Sequence, residues 1–252
     1  MDETEWLVAR FVAGLRALLP VRAVWAHGSL ALGDYQPGRS DLDLLALLER
    51  APDPAERERL TALHRELERA SPLALELHCS YLLPDRLADP ALDHLTWAHR
   101  ELLARPVSEV TRRELQLGAR TVYGPPPAGL LPGVTDEELA RAVRASLMDF
   151  WRPALPRWHL WLRDDWVDLG LYTLARATAT LRTGELLTKG QALALLPEFG
   201  VSTAVLADLR ARRYGGAVNG HWRWKWRRSL EVRRVLAAGI ARAVCGAAGA
   251  QR

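Results

Sequence analysis

One stretch limits what this chain can fold into more than any other: Val21 to Ser29, then ten residues, then Ser40-Asp41-Leu42-Asp43-Leu44-Leu45. The apolar run Val21–His27 reads as a strand. Gly28-Ser29 reads as a tight turn that opens a short helix near Leu30, and Pro37-Gly38 ends that helix. Asp41–Leu48 then reads as a second strand. Side chains alternate along a strand, so Asp41 and Asp43 share a face, roughly 6–7 Å apart along the chain. A lone Gly-Ser is a common turn, and a lone Asp-x-Asp is often a solvated strand edge. Asp43, however, sits within Leu42-Asp43-Leu44-Leu45, where an unpartnered carboxylate is expensive to bury. Glycine lets a ligand approach the backbone closely, and the N–H groups at a helix start receive phosphate oxygens. Two carboxylates beside such a turn are what Mg²⁺ ions need in order to clamp a nucleoside triphosphate.

Gly28-Ser29, Ser40 and Asp41-x-Asp43 resemble the signature of the nucleotidyltransferase superfamily that includes DNA polymerase beta. More narrowly, the chain resembles the aminoglycoside nucleotidyltransferases of the streptomycin/spectinomycin adenylyltransferase type. The resemblance runs from about Val21 to Tyr214. It implies an α/β (α+β) nucleotidyltransferase domain with a mixed β-sheet, residues 1–127, followed by an all-α helical bundle, residues 128–252, with the active site between them.

A chain of 252 residues is long enough for two such cores. Hydrophobic content of 49% and charged content of 25% fit a folded globular protein. No apolar run reaches membrane-spanning length and Met1-Asp2-Glu3 is no signal peptide, so a cytoplasmic location is expected. Cys79 and Cys245, far apart in sequence, suggest neither a disulfide framework nor a zinc site. The net charge of +4 is spread through mixed Arg/Glu stretches, which points to solvated helices and away from a nucleic-acid surface.

Glu5–Leu19 and Pro54–Ala70 have helical periodicity. Leu73–Leu82 alternates strictly and is expected to be a third strand, with Ala74, Glu76, His78 and Ser80 on one face. A sheet folded around the nucleotide brings Glu76 beside Asp41 and Asp43. The resemblance gives Leu75-Glu76-Leu77 the role of a third carboxylate, which serves as general base for the acceptor hydroxyl and assists the metal. His78 shares that face but has no counterpart requirement in the family and is read as structural.

Pro84–Tyr123 is expected to be polar and helical. Trp97 falls near where some family members stack an aromatic on the drug, although a packed tryptophan is the simpler reading. Arg120–Pro127 resembles the segment by which these enzymes leave the first domain, and its prolines stiffen it.

Beyond it, Thr135–Glu138 is a capping pattern whose helix is expected to end near Trp151. By resemblance, Lys189 contacts the phosphates and Tyr214 lies near the nucleotide; Lys189 and Lys225 are the chain's only lysines. Asp164, Asp165 and Asp168 admit two readings, capping of a helix start or recognition of a drug's ammonium groups. His221–Arg228 interleaves tryptophan with basic residues, a pattern able to stack single-stranded nucleic acid, but the patch is short and packing is favoured.

The resemblance therefore implies a Mg²⁺-dependent enzyme that transfers AMP from ATP to an aminoglycoside or aminocyclitol hydroxyl. Two alternatives stay open: a protein or RNA acceptor, as in antitoxin-like relatives, and a nucleotide-binding module without catalysis.

Overall fold

A computed structural model describes residues 2–246, which form two compact units, Met1–Val134 and Thr135–Arg252. The first unit is built on a six-stranded mixed sheet. Its strands are β1 (Val21–Ala26), β2 (Leu42–Leu48), β3 (Leu77–Leu82), β4 (Asp93–Ala98), β5 (Glu101–Pro106) and β6 (Arg120–Tyr123), in spatial order β5-β4-β3-β2-β1-β6. Only β2 and β3 pair in parallel; the other four pairings are antiparallel.

Strands β1 and β2 are buried on both faces, which is why they read as continuous apolar runs. On one face Val24, Ala26, Leu44, Ala46 and Leu48 pack with helix α1 (Glu3–Leu18) and helix α3 (Pro54–Ala70). The alternate residues Ala23, Trp25, Leu45 and Leu47 pack with Leu82, Leu87, Val107 and Leu115 on the other. Both helices start on aspartate caps, Asp2 and Asp53, and the second carries a full capping box with Glu56. Between β1 and β2 lies the one-turn helix α2 (Gly28–Ala31).

Three local expectations are corrected. The strand expected from Leu73 starts only at Leu77. Ser71 caps a 3₁₀ turn with Pro72 at its first position, and this turn carries the chain to Glu76 and leaves Leu75 exposed. The stretch Pro84–Tyr123 is mainly sheet: β4 and β5 form a hairpin, followed by helix α4 (Glu109–Gly118) and edge strand β6. Third, residues 128–134 stay with the first unit. Val134 donates its N–H to Gln116 Oε1 (3.0 Å) and accepts from the Arg113 guanidinium (2.7 Å), while Leu130 and Leu131 pack against the cluster that contains Trp25.

Under the sheet, His64 of α3 stacks on Trp97 of β4, with ring centroids 4.3 Å apart and planes 7° from parallel, and its Nε2 lies 2.6 Å from the Tyr81 hydroxyl. Burial lowers the His64 pKa to about 3. Between that value and the ordinary histidine value near 6.5, the unfolded chain holds a proton here that the folded chain does not. The stabilisation tied to a neutral His64 is therefore intact above pH ~6.5 and drains as pH falls toward 3, with a limiting slope of about 1.4 kcal/mol per pH unit. Urea unfolding at pH 7 and pH 4.5 measures it. His64→Gln, which still offers Tyr81 a partner, should lose that share of the slope, and an unchanged slope would contradict the assignment.

The second unit is helical: α5 (Asp136–Ala145), α6 (Arg152–Ala154), α7 (Asp164–Thr183), α8 (Lys189–Leu195), α9 (Thr203–Tyr214) and α10 (Trp222–Gly246). The Thr135–Glu138 capping box opens α5. A π-helical turn, Ser146–Trp151, joins α5 to α6, so the helix runs past Trp151 and through Pro153 to Ala154. Leu171, Leu174, Val205, Leu209, Val232 and Leu236 are buried along α7, α9 and α10. Among the described residues no helix is long and apolar enough to cross a membrane.

Candidate active site

The end of β1 and the start of β2 lie side by side, with the backbone N–H of His27 donating to the Asp43 carbonyl at 3.1 Å. Gly28 follows at φ +60°, a conformation that other residues rarely adopt. A Cβ built there would lie 2.8 Å from Asp43 Oδ2, so the glycine is what lets the turn close over this carboxylate. Ser29 is half-buried, no side chain caps the start of α2, and the Gly28 and Ser29 carbonyls accept from Leu32 and Asp34.

In the parallel pairing of β2 with β3, Leu42 faces Leu77 and Asp43 faces His78. Facing residues of adjacent strands project to one side of a sheet, so His78 joins Asp43. Asp41, one residue ahead of β2, lies on the same side by alternation. One ligand atom from each of Asp41, Asp43 and His78 lies within 4.8 Å of the others, and all three residues are half-buried. This is the sole His/Cys/Asp/Glu group of that kind among the described residues.

Glu76 is not in this group. It ends the 3₁₀ turn, half-buried, one position before β3. Burial raises the Tyr35 pKa, the Thr4 hydrogen bond opposes this, and the charges of Asp2, Glu76 and Asp41 raise it further.

Two charged partners were not legible beforehand. His27 lies 3.1 Å from Glu114 of α4, and both side chains are nearly buried. Burial alone disfavours a charged imidazole, but the Glu114 hydrogen bond and the charges of Asp43 and Glu114 outweigh it and raise the His27 pKa. His27 belongs to the signature stretch itself; its partner, eighty-seven residues on, leaves no trace in a local pattern.

Other expected site residues are placed differently. Ser40 is 1% exposed, and its hydroxyl accepts from the Gln36 N–H at 3.1 Å, closing the α2–β2 loop rather than facing a phosphate. Trp97, also 1% exposed, stacks on His64 with the Arg65 guanidinium 5.4 Å from its ring centre, and cannot stack on a drug.

In the second unit, the aspartates at the start of α7 are all matched by cations, and Asp165 also accepts first-turn backbone N–H groups. The capping position is Arg163 and makes no side-chain cap. Asp164 pairs with Lys225 and Arg228, Asp165 with Arg163, and Asp168 with Arg212. Lys189 is the first residue of α8 and half-buried, while Tyr214 ends α9, exposed beneath the Arg213 guanidinium. The segment 221–228 is helical from Trp222, and two of its cations, Lys225 and Arg228, are already held by Asp164.

Residues 8–97 match the family model of the nucleotidyltransferase domain. The chain's fold is similar to that of spectinomycin adenyltransferase AAD(9) from Enterococcus faecialis, whose crystal structure contains ATP and spectinomycin. The TM-score is 0.72 at 15% identity, over 92% of this chain and 98% of that one. No curated protein matches the sequence.

Proposed function

We propose that this chain, whose first unit carries a nucleotidyltransferase domain, transfers AMP from ATP to a hydroxyl of an aminoglycoside or aminocyclitol, with release of pyrophosphate. One observation carries the reading: Asp41 and Asp43 stand on one face, with Asp43 directly under the Gly28 turn. The likeness in fold to an adenyltransferase crystallised with ATP and spectinomycin supports the choice of donor and acceptor class.

The donor set fits a divalent ion, since two carboxylates converge where a side chain on residue 28 would intrude. Asp41 and Asp43 would hold it, and Mg²⁺ is the expected ion for their oxygens. When bound, such an ion neutralises charge that develops on the triphosphate.

The chain's own groups do the rest. Backbone N–H groups of Gly28 and Ser29 receive phosphate oxygens. The charges of Asp43 and Glu114 favour the protonated form of His27, which would offset the negative charge gathered there. Glu76 takes the proton of the acceptor hydroxyl. That oxygen bonds to the α-phosphorus as the bond to the β-bridging oxygen breaks, and pyrophosphate departs with the electron pair. Positioning and charge compensation suffice for this chemistry. Lys189 and Tyr214 are the second unit's candidates for the nucleotide, Lys189 because a lysine is a compact charge suited to phosphate. Such an enzyme, working on cellular ATP in the cytoplasm, would confer resistance to the drug it modifies.

Pyrophosphate release with ATP and Mg²⁺ across streptomycin, spectinomycin and kanamycin, with mass spectrometry of each drug, tests the reading. The expected result is one drug gaining the mass of AMP. ATP binding with no adduct on any aminoglycoside or aminocyclitol would remove the acceptor class.

A further inference from the structure

We propose that His78 is a protein ligand of the divalent ion at Asp41 and Asp43, giving the site one imidazole nitrogen beside its carboxylate oxygens and a stronger preference for Mn²⁺ over Mg²⁺. The inference rests on the site being a metal site, as in the functional reading, and adds to it a residue and a selectivity.

Register is the first support. His78 faces Asp43 across the parallel pairing, so backbone geometry alone delivers the imidazole to the carboxylate face. Distance is the second. His78 Nδ1 is 3.7 Å from Asp43 Oδ1, so the ring's nitrogen stands beside the carboxylate. Neighbouring ligands of one ion at about 2.1 Å from each donor lie on the order of 3 Å apart. A donor set already within 4.8 Å reaches that spacing by small side-chain rotations.

The third support is the way His78 is held. Its ring meets that of His99 edge-on, with centroids 5.3 Å apart. His99 and Arg100 form the two-residue turn between β4 and β5, and both have positive φ, 52° and 67°. Tight hairpin turns of this kind ordinarily use Gly or Asn, because a side chain in that conformation costs about 1–2 kcal/mol. Here a histidine occupies it, and Arg100 is pinned: its carbonyl accepts from Arg65 and its guanidinium reaches Glu68. The strained turn sets an imidazole against the His78 ring and limits how far that ring can swing from Asp43. His99 is thus a positioning residue.

Selectivity follows from the donors. Mg²⁺ takes oxygen ligands and gives up its water reluctantly, whereas Mn²⁺, although also an oxygen-seeking ion, begins the first-row transition series and accepts a nitrogen donor beside its oxygens more readily. Replacing one water or oxygen by nitrogen therefore raises affinity for Mn²⁺ more than for Mg²⁺.

The test uses the full chain without nucleotide and Mn²⁺ as the probe. Electron spin echo envelope modulation of bound Mn²⁺ should show ¹⁴N coupling from a directly bound imidazole, and His78→Gln and His78→Asn should both lose it. Their Mn²⁺ affinity should fall about 10–100-fold, with a smaller fall for Mg²⁺ measured by competition. Loss of affinity alone would also follow from a merely orienting histidine, so the nitrogen coupling decides. Bound Mn²⁺ without ¹⁴N coupling, or coupling that survives both substitutions, would overturn the role of His78 and leave the functional reading intact. Failure of the wild-type chain to bind Mn²⁺ or Mg²⁺ at all would overturn the metal site and, with it, that reading.

Discussion

Asp43→Asn should give a folded protein that no longer transfers nucleotide, with turnover down at least about a thousandfold, or roughly 4 kcal/mol of lost transition-state stabilisation. The substitution keeps the shape of the side chain and removes its charge. The backbone contact to His27 runs through the Asp43 carbonyl and is untouched, so the closure of β1 on β2 persists. The electrostatics change: the site loses half of its carboxylate pair, and His27 loses one of the charges that raise its pKa. Pyrophosphate release, Mn²⁺ binding and thermal unfolding, measured on one preparation, separate these effects. Activity within a few-fold of wild type would remove Asp43 from the mechanism.

Glu76→Gln provides the contrast. A residue acting as a general base should lower turnover by about 10²–10⁴. Because Glu76 stands outside the Asp41–Asp43–His78 group, ion binding should remain. Equal loss of ion binding in both variants would give Glu76 a metal-binding role instead.

The parts of this site that were legible in the sequence are those encoded by neighbours in the chain. Gly28 and the Asp41/Asp43 alternation declare themselves within about twenty residues, because strand period and turn chemistry are local. His78 shared the right face in the sequence reading, yet its importance depends on facing Asp43 across a parallel pair, and a single chain does not reveal cross-strand register. The β4–β5 hairpin was hidden for a different reason. Its turn is His99-Arg100, where the usual Asn-Gly or Asp-Gly signal is missing, and polar residues such as His94 and Thr96 are buried on the strand. Missing the hairpin also kept open the drug-stacking reading of Trp97, which belongs to the core beside His64, as the simpler packed reading had it. At Glu76 the alternation was real, but Ser71-Pro72 began a 3₁₀ turn that overrode it. The second unit shows the same limit. Three aspartates at a helix start suggested caps or ligands because the cations of Asp164 and Asp168 come from Lys225, Arg228 and Arg212, more than forty residues away.

Those cations lead to the largest stability effect expected of any single change. Asp208 on α9 has 4% of its side chain exposed and pairs with Arg212, one turn along its own helix, and with Arg228 of α10 at 2.8 Å. Arg228 is fully buried and also donates to Asp164 at 2.7 Å, and Arg212 donates to Asp168 at 2.6 Å. The network therefore ties α7, α9 and α10 together through two guanidiniums and three carboxylates. Burial by itself would lower the Arg212 pKa, but hydrogen bonds and charge from Asp168 and Asp208 overcome this and raise it, so the guanidinium stays charged. Asp208→Asn leaves both cations in place and removes the carboxylate they share. Arg228 keeps Asp164 and Arg212 keeps Asp168, so the loss approaches, without exceeding, the cost of a broken buried pair, about 3–5 kcal/mol, on the order of 10 °C in the melting temperature of a unit this size. Replacing Asp208 and Arg228 together, by Leu and Met, should recover much of the loss, since well-packed apolar groups substitute for a buried pair at little cost. Urea unfolding of the single and double variants measures both effects. A single variant within 1 kcal/mol of wild type would mean that water reaches these groups and that packing along α7 and α10, rather than the ion network, holds the helices.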